Sequence, residues 1–214
     1  MSEKKKYKNL EETLFARWQE KRPGMAKDGV VDDVEYYNCA VKVLFILKEV
    51  NGWKNGDLRE LLKRGEKWRT WNNISRWQLG VQHLYKTGKI EFRNKINQRD
   101  RQSILKDIAV INLKKESGGA VSNMREIRTH ALEDKKFLKE QIDLYSPDLV
   151  ICCGTGSIVA ELELFESIKT INPFEKFGYA KNNTQLIIDY FHPQCRKSKE
   201  ALFHDLMRCI EKVK

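Results

Sequence analysis

One stretch, Val41–Gly52 (VKVLFILKEVNG), limits most strongly what this chain can fold into. Its central run, Val43–Leu47, is apolar without alternation, which is typical of a strand buried on both faces of a sheet. Polar residues follow at once, and they include Lys48, Glu49 and Asn51. The stretch therefore predicts a buried strand of an α/β sheet that ends in a polar loop, where such sheets bind ligands.

Three further apolar runs have the same character, and they are Ile108–Leu113, Asp148–Cys153 and Gln185–Tyr190. Between and around the runs, apolar spacing predicts helices at residues 10–22, 57–64, 68–85, 97–106, 122–145, 154–165 and 198–213. Ser122 is the candidate cap of the long helix. The alternation predicts a single domain over residues 1–214, a three-layer α/β/α sandwich with a mainly parallel four-stranded sheet. Residues 1–9 are expected to be a flexible basic tail.

The charge balance indicates a polyanionic partner. The 214 residues include 40 Lys and Arg against 30 Asp and Glu, so the net charge is +10 and the pI about 9.3. This excess predicts DNA as the partner, although a basic solubility surface has the same composition. With no run long enough to span a membrane and no apolar signal core, we expect a cytoplasmic, DNA-associated monomer without an obligatory protein partner.

The cysteines predict neither a metal site nor a cofactor. The chain has five cysteines and no C-x-x-C pair, and two of them, Cys152 and Cys153, lie in one apolar run. An odd number in this arrangement favours reduced thiols over a disulfide framework. We therefore expect chemistry that side chains carry without a zinc or iron–sulfur centre.

Polar residues follow all four predicted strands, whose carboxyl ends meet at one edge of a parallel sheet. They are Glu49 with Asn51, then Asn112, the Gly154–Ser157 turn and His192. Each has a simpler interpretation, since Asn112 can brace a loop and His192 can be a structural imidazole. The turn is more typical of a tight strand-to-helix connection than of a nucleotide cradle, although its amides can accept a phosphate. Their common edge predicts a ligand site.

The order of these pieces resembles the uracil-DNA glycosylase superfamily over roughly residues 41–196. The resemblance rests on VINLKK at Val110–Lys115, SPDLVICCG at Ser146–Gly154 and FHPQCR at Phe191–Arg196. It implies a uracil-DNA glycosylase-like fold and a monofunctional DNA glycosylase that flips out a base, hydrolyses its N-glycosidic bond and leaves an abasic site. The first loop departs from the family form G-x-x-P-G, because lysine replaces the first glycine and asparagine replaces proline. The target implied is uracil or a modified base, such as hypermodified cytosine in phage DNA, with a role in DNA repair or antiviral defence.

The resemblance also implies roles for the candidate residues. Glu49 and Asn51 belong to the loop that positions the hydrolytic water, Asn112 to the base-reading strand end, and His192 to the group that stabilises the leaving base. The chemistry alone is consistent with this assignment. Bond cleavage develops positive charge on the sugar, which a carboxylate stabilises, and negative charge on the base, which a hydrogen-bond donor stabilises. We therefore predict Glu49, His192 and Asn51 as catalytic residues.

A flipped base also needs contacts to its ring. Trp53 is the nearest aromatic candidate for stacking on the base, and Gly154 and Ser157 are predicted to contribute to substrate binding. The remaining tryptophans of this region are expected to pack helix against sheet, and they are Trp68, Trp71 and Trp77.

Six polar side chains are predicted to face DNA, namely Lys48, Lys114, Lys115, Gln194, Arg196 and Lys197. For each lysine and arginine, an ordinary solvated surface position is the alternative. Two other functional classes remain open. One is a catalytically silent DNA-binding relative, which the altered first loop favours, and the other is a nucleotide-binding α/β enzyme that uses the Gly154–Ser157 turn.

Overall fold

A computed structural model describes residues 3–52, 55–119, 121–166, 169–171, 179–181 and 184–214. The helices are α1 Glu3–Lys21, α2 Asp33–Asn38, α3 Leu58–Lys63, α4 Arg69–Thr87, α5 Gln98–Ile104, α6 Met124–Glu133, α7 Lys135–Tyr145, α8 Gly156–Glu161 and α9 Lys199–Val213. The strands are β1 Gly29–Val30, β2 Val43–Asn51, β3 Ile108–Gly118, β4 Leu149–Cys153, β5 Lys169–Ile171, β6 Tyr179–Lys181 and β7 Leu186–Tyr190. A short 3₁₀ helix, Leu105–Asp107, leads into β3.

The strands of the described residues form one mixed sheet in the order β1-β3-β2-β4-β7-β6-β5. Its centre, β3-β2-β4-β7, is parallel throughout. This confirms the α/β fold and the mainly parallel sheet that the four apolar runs predict. At the edges, β1, β6 and β5 pair antiparallel with their neighbours. Sequence patterns do not predict these edge strands, because two or three residues are too few to show a period.

Helices cover both faces of the sheet, because successive residues of a strand point to opposite sides. Val43 and Phe45 of β2 belong to a first core with residues of α3, α4 and α9. Leu44 and Ile46 belong to a second core with residues of α1, α2, α6, α7 and α8. The apolar run of β2 is uninterrupted because each face of the strand packs into a separate core.

The predicted helix over residues 122–145 is two helices, α6 and α7, and this corrects the sequence interpretation. The break falls at Asp134, whose buried carboxylate forms ion pairs with Arg22 and, at 2.9 Å, with Lys21. Lys21 is the last residue of α1 and Arg22 follows it, so no local pattern marks the break. The cap of α6 is also different from the prediction, because the Asn123 side chain, and not that of Ser122, accepts from the first free amides.

Helix α1 begins at Glu3, within the segment that was expected to be a flexible tail. The Tyr7 ring of this helix stacks on Tyr37 of α2, with ring centroids 4.5 Å apart. Aromatic stacking of this kind holds the first turns of α1 against the domain. The described residues of that segment are therefore helical, and their flexibility stays a prediction.

Both β2 and β3 continue past their apolar runs, and this extension shapes the sheet edge. Glu49 pairs in register with Lys114, and after a register shift Val50 and Asn51 pair with residues 117 and 118. The predicted polar loop after β2 is therefore the last part of a strand. The extension is long-range in origin, because polar residues of β2 become strand only by pairing with polar residues of β3.

The five cysteines, all of which lie in described parts of the chain, form no disulfide. Cys152 and Cys153 are fully buried in β4. None of the described helices has the length and apolar character that crossing a membrane requires.

Candidate functional site

The chain leaves β2 and β4 toward opposite faces of the sheet. After β2 it enters α3 and α4, which pack on the first core, and then returns as β3 on one side of β2. After β4 it enters α8, which packs on the second core, while β4 itself lies on the other side of β2. Such a reversal of strand order opens a crevice outside the carboxyl ends of the strands. The crevice between β2 and β4 is therefore the candidate site.

Three residues from three chain segments meet in this crevice, and we call them the edge cluster: Lys48, Gly154 and His192. A methyl group placed on Gly154 would lie 3.5 Å from Lys48 Cε and 3.7 Å from His192 Cβ. Gly154 has φ +71°, and its amide donates to the Tyr190 carbonyl at 2.6 Å. The left-handed turn thus brings β4 and β7 together without a side chain between Lys48 and His192.

His192 is held as a neutral imidazole with a defined proton. Its Nδ1 accepts a hydrogen bond from the Gln194 amide at 3.2 Å, so the ring proton of the neutral form resides on Nε2. Burial, together with the nearby Lys48 charge, lowers the pKa of His192 from 6.5 to about 4. At neutral pH the ring therefore presents Nε2–H as a hydrogen-bond donor.

The first turns of α4 hold the loop that carries His192. Arg69 Nη2 donates to the carbonyls of Cys195, at 2.8 Å, and Lys197, at 2.9 Å. Asn73 Nδ2 donates to the Pro193 carbonyl at 2.7 Å. These contacts fix the loop backbone on both sides of its exposed tip, so the imidazole position depends on α4 as well as on β7.

Glu49 lies next to Lys48 on β2, and its carboxylate is almost covered. The side chain is 6% exposed, and Oε2 lies 3.3 Å from Lys114 Nζ. A Cβ added to Gly118 would fall 2.0 Å from Glu49 Cδ, so the absence of a side chain at Gly118 makes room for the carboxylate. Among the described residues, no group donates a hydrogen bond to Oε1, which is buried. A buried oxygen of this kind is a ready acceptor for a water or a substrate hydroxyl.

Asn112 does not reach the crevice as a base reader. Its side chain is 1% exposed, and Asp28 Oδ2 accepts from its amide nitrogen at 3.2 Å and from its backbone amide at 2.7 Å. The simpler interpretation, in which the asparagine braces the structure, fits this geometry. The predicted reading of a base edge by Asn112 is contradicted by its burial.

Lys115 and Lys114 are buried as well, which contradicts their predicted contact with DNA. Lys115 is fully buried, and its ammonium donates to Asp28 at 2.6 Å and to Gln141 at 2.8 Å. Lys114 is 3% exposed and forms ion pairs with Glu49 and Glu126. The reason is the length of β3, because both lysines belong to a strand inside the sheet and not to a loop beyond it.

The turn after β4 is occupied by protein groups. The Gly156 amide donates to Asp189 Oδ1 at 3.1 Å, so the start of α8 already binds a carboxylate. The Thr155 hydroxyl is buried and donates to the Ile46 carbonyl at 2.9 Å, which ties the turn to β2. Ser157 is exposed at the surface. This arrangement favours the tight-turn interpretation over a phosphate cradle.

Of the other predicted DNA contacts, Arg196 is exposed at the tip of the His192 loop. Lys197 lies over the Phe191 ring, at 4.2 Å from its centroid, and 3.8 Å from an Asp205 carboxylate oxygen. The exposed Gln194 uses its amide to donate to Thr70 at 2.8 Å. Arg196 thus remains available to a ligand, whereas Gln194 and Lys197 also serve the loop itself.

The predicted packing of tryptophans between helix and sheet is correct for two residues and wrong for a third. Trp71 and Trp77 are buried in the first core, as their packing role requires. Trp68 is not packed between helix and sheet, because its residue is 51% exposed. Trp53 lies outside the described residues, and so does the side chain of Asn51.

Sequence reasoning did not predict how residues distant in the chain hold this region together. The sequence suggests Arg69 only as a possible phosphate contact, but its guanidinium holds the His192 loop at Cys195, 126 positions away. Asp28, whose partner Asn112 lies 84 positions away, stands in no motif, so the sequence has no signal for it. Within the described residues, no group of three or more His, Cys, Asp or Glu side chains is arranged to hold a metal ion.

No protein-family model matches the chain, and no curated protein sequence matches it. The function is therefore inferred from the geometry and chemistry of the crevice.

Proposed function

We propose that the protein is a monofunctional DNA glycosylase. The observation that carries the proposal is the edge cluster, in which a neutral histidine donor and a lysine cation converge at the switch point of a parallel sheet. Glu49 follows Lys48 directly in β2, so a carboxylate lies at the same edge of the sheet, although neighbouring residues of a strand point to opposite faces. A donor for the departing base and a carboxylate for the sugar are what N-glycosidic bond hydrolysis requires.

In this proposal water attacks the anomeric carbon while the bond from that carbon to the base nitrogen breaks. The bonding electron pair leaves with the base, and His192 Nε2–H donates to the base oxygen on which negative charge develops. Glu49 Oε1 accepts a hydrogen bond from the attacking water, and the carboxylate stabilises the positive charge of the sugar. The proton that the water loses passes to solvent or to the departing base, and the products are a free base and an abasic site.

Lys48 acquires a new role in this mechanism. Sequence reasoning placed it among the phosphate contacts, but its stem lies against the Gly154 turn and its charge acts on His192. A cation beside the imidazole keeps the ring neutral and adds to the positive potential where the base becomes an anion. We propose that Lys48 and His192 stabilise the leaving base together.

The sheet with its site at the carboxyl edge is compatible with the uracil-DNA glycosylase-like fold that the resemblance implies, and we propose that fold for the chain. Uracil and modified bases, including hypermodified cytosine of phage DNA, are the proposed targets, and repair or antiviral defence is the proposed setting. DNA as the partner is supported by the net charge of +10. A cytoplasmic monomer is the proposed working form.

One observation favours the second candidate, a catalytically silent DNA-binding relative. Glu49 already pairs with Lys114, and this neutralises part of the charge that would stabilise a sugar cation. A nucleotide-binding enzyme has less support, because the Gly156 amide at the start of α8 already donates its hydrogen bond to Asp189. The silent relative would bind DNA and release no base.

Mass spectrometry of released bases separates these candidates. The protein is incubated with genomic DNA, uracil-containing DNA and phage DNA with hypermodified cytosine, in the presence and absence of a strong chelator. We expect one free base to appear, with or without the chelator, in DNA that alkali then cleaves at the abasic site. DNA that is bound but loses no base would reject the glycosylase in favour of the silent relative.

A further inference from the structure

Trp68 is exposed at the surface, at a position where the local helix structure does not require a tryptophan. Among the described residues, it is the only large aromatic side chain that is exposed to solvent, with 51% of its surface accessible. It is the N-cap residue of α4, and its side chain makes no capping hydrogen bond. Ser, Thr, Asp and Asn are the residues that stabilise this position, so a tryptophan contributes little to the helix start.

Two basic segments of the chain meet beside Trp68. Segment 63–69 contains four basic residues and one acidic residue, and segment 194–199 contains three basic residues and no acidic one. The two segments are in contact, because Arg69 donates to the carbonyls of Cys195 and Lys197. Arg196 lies between those two carbonyls and is exposed. Trp68 is therefore the chain neighbour of a residue that contacts the His192 loop, and both contacting segments are basic.

We propose that Lys67, Trp68, Arg69 and Arg196 form a DNA-docking surface, in which the Trp68 ring stacks on an unpaired base beside the base that enters the edge cluster. The inference deepens the proposed function and depends on its DNA substrate. Aromatic rings bind bases of any sequence through their faces, and the flanking cations attract the phosphates. An enzyme that flips one base leaves its neighbours partly unstacked, which provides the partner for the ring.

The inference is tested by DNA binding, which needs no excision. Fluorescence anisotropy measures the affinity for a labelled single-stranded oligonucleotide and for a duplex with one abasic site, at two salt concentrations. We expect Trp68→Ala to weaken binding about tenfold and Trp68→Phe to retain most of the affinity, because phenylalanine still stacks. The salt dependence should stay unchanged in both variants, whereas Arg196→Ala should lower the salt slope by about one.

Two controls make the test specific. Leu132→Ala removes an exposed apolar side chain from α6, in the opposite helical layer, and should leave DNA affinity unchanged. The change in tryptophan emission on DNA binding should be smaller in Trp68→Phe than in the parent, because Trp18, Trp71 and Trp77 are buried and Trp53 is common to both proteins.

The inference is overturned if Trp68→Ala binds both DNAs as the parent does, or if the parent binds no DNA at all. It is also overturned if Trp68→Ala abolishes a protein self-association while DNA affinity stays the same, as analytical ultracentrifugation would show. Absence of base release together with loss of DNA affinity in Trp68→Ala would reject the glycosylase and keep this surface.

Discussion

Two groups of polar residues at the carboxyl side of the sheet differ in how completely they are satisfied. The first, which we call the interior cluster, consists of Asp28, Asn112, Lys115 and Gln141. All four are 0–1% exposed, and Asp28 alone accepts hydrogen bonds from the other three. The Lys115 ammonium and the Asp28 carboxylate neutralise each other away from water. A ligand would have to break these bonds to enter, so the interior cluster is structural.

The edge cluster contains polar groups that its own chain leaves available. His192 uses Nδ1 within the loop and presents Nε2–H, and Lys48 has no carboxylate partner within the described part of the chain. Both clusters contain a lysine that follows the apolar run of a central strand. A polar strand end therefore predicts function only when its hydrogen-bonding capacity is not already used.

The largest effect should follow from removing the buried ammonium of the interior cluster. Lys115→Met leaves the Asp28 carboxylate buried and unpaired, which should cost about 3–5 kcal/mol of unfolding free energy in chemical denaturation. Asp28→Asn combined with Lys115→Met should recover part of that loss, because no lone charge remains. Lys63→Met, at a surface pair with Glu60, should change stability by less than about 1 kcal/mol. A parental stability for Lys115→Met would remove the distinction between the two clusters.

The next effect concerns catalysis at the edge. His192→Ala and Glu49→Gln should each lower single-turnover base excision roughly a hundredfold or more, because each removes one preorganised electrostatic group. Both variants should keep the parental fold and DNA affinity, as circular dichroism and anisotropy would show, because Lys114 keeps Glu126 as an ion-pair partner when Glu49 loses its charge. His83→Ala, at a half-exposed histidine of α4, is the matched control and should excise at the parental rate. Parental excision by both folded site variants would refute the assignment.

A steric change tests whether the position of the Glu49 carboxylate matters for excision. Gly118→Ala places a methyl group 2.0 Å from Glu49 Cδ and must displace the carboxylate, whereas Gly119→Ala meets only the Val121 carbonyl at 3.9 Å. We expect excision to fall roughly tenfold in Gly118→Ala, about 1.4 kcal/mol of transition-state stabilisation, and to stay unchanged in Gly119→Ala. Equal rates for the two variants would show that the carboxylate position does not matter.

The smallest effect is a change in a proton equilibrium. In NMR titration the His192 midpoint should lie at about 4, and in Lys48→Met it should rise but stay below 6.5, because burial remains. As pH falls from 6.5 to 4, the unfolded chain binds a proton that folded His192 does not bind, so this group makes stability decline over that range. If Lys48→Met leaves the midpoint unchanged, the Lys48 charge does not act on His192.

Local sequence patterns were enough to predict the four central strands, their parallel direction and the edge at which His192 and the Gly154 turn lie. These features follow from local periodicity, since an uninterrupted apolar run of five or six residues needs two cores. The sequence also determined the basic charge excess and the packing of Trp71 and Trp77.

Which polar residues are available to a ligand depends on long-range contacts that appear only in the folded domain. Lys115 and Lys48 both follow apolar runs, but β3 extends into the domain and meets Asp28 there, whereas Lys48 meets the side-chain-free turn at Gly154. Desolvation and ion pairing depend on partners that are distant in sequence, and no local pattern encodes them. The same reason explains the exposed position of Trp68, because an N-cap residue lies in the core or at the surface according to how its helix meets the sheet.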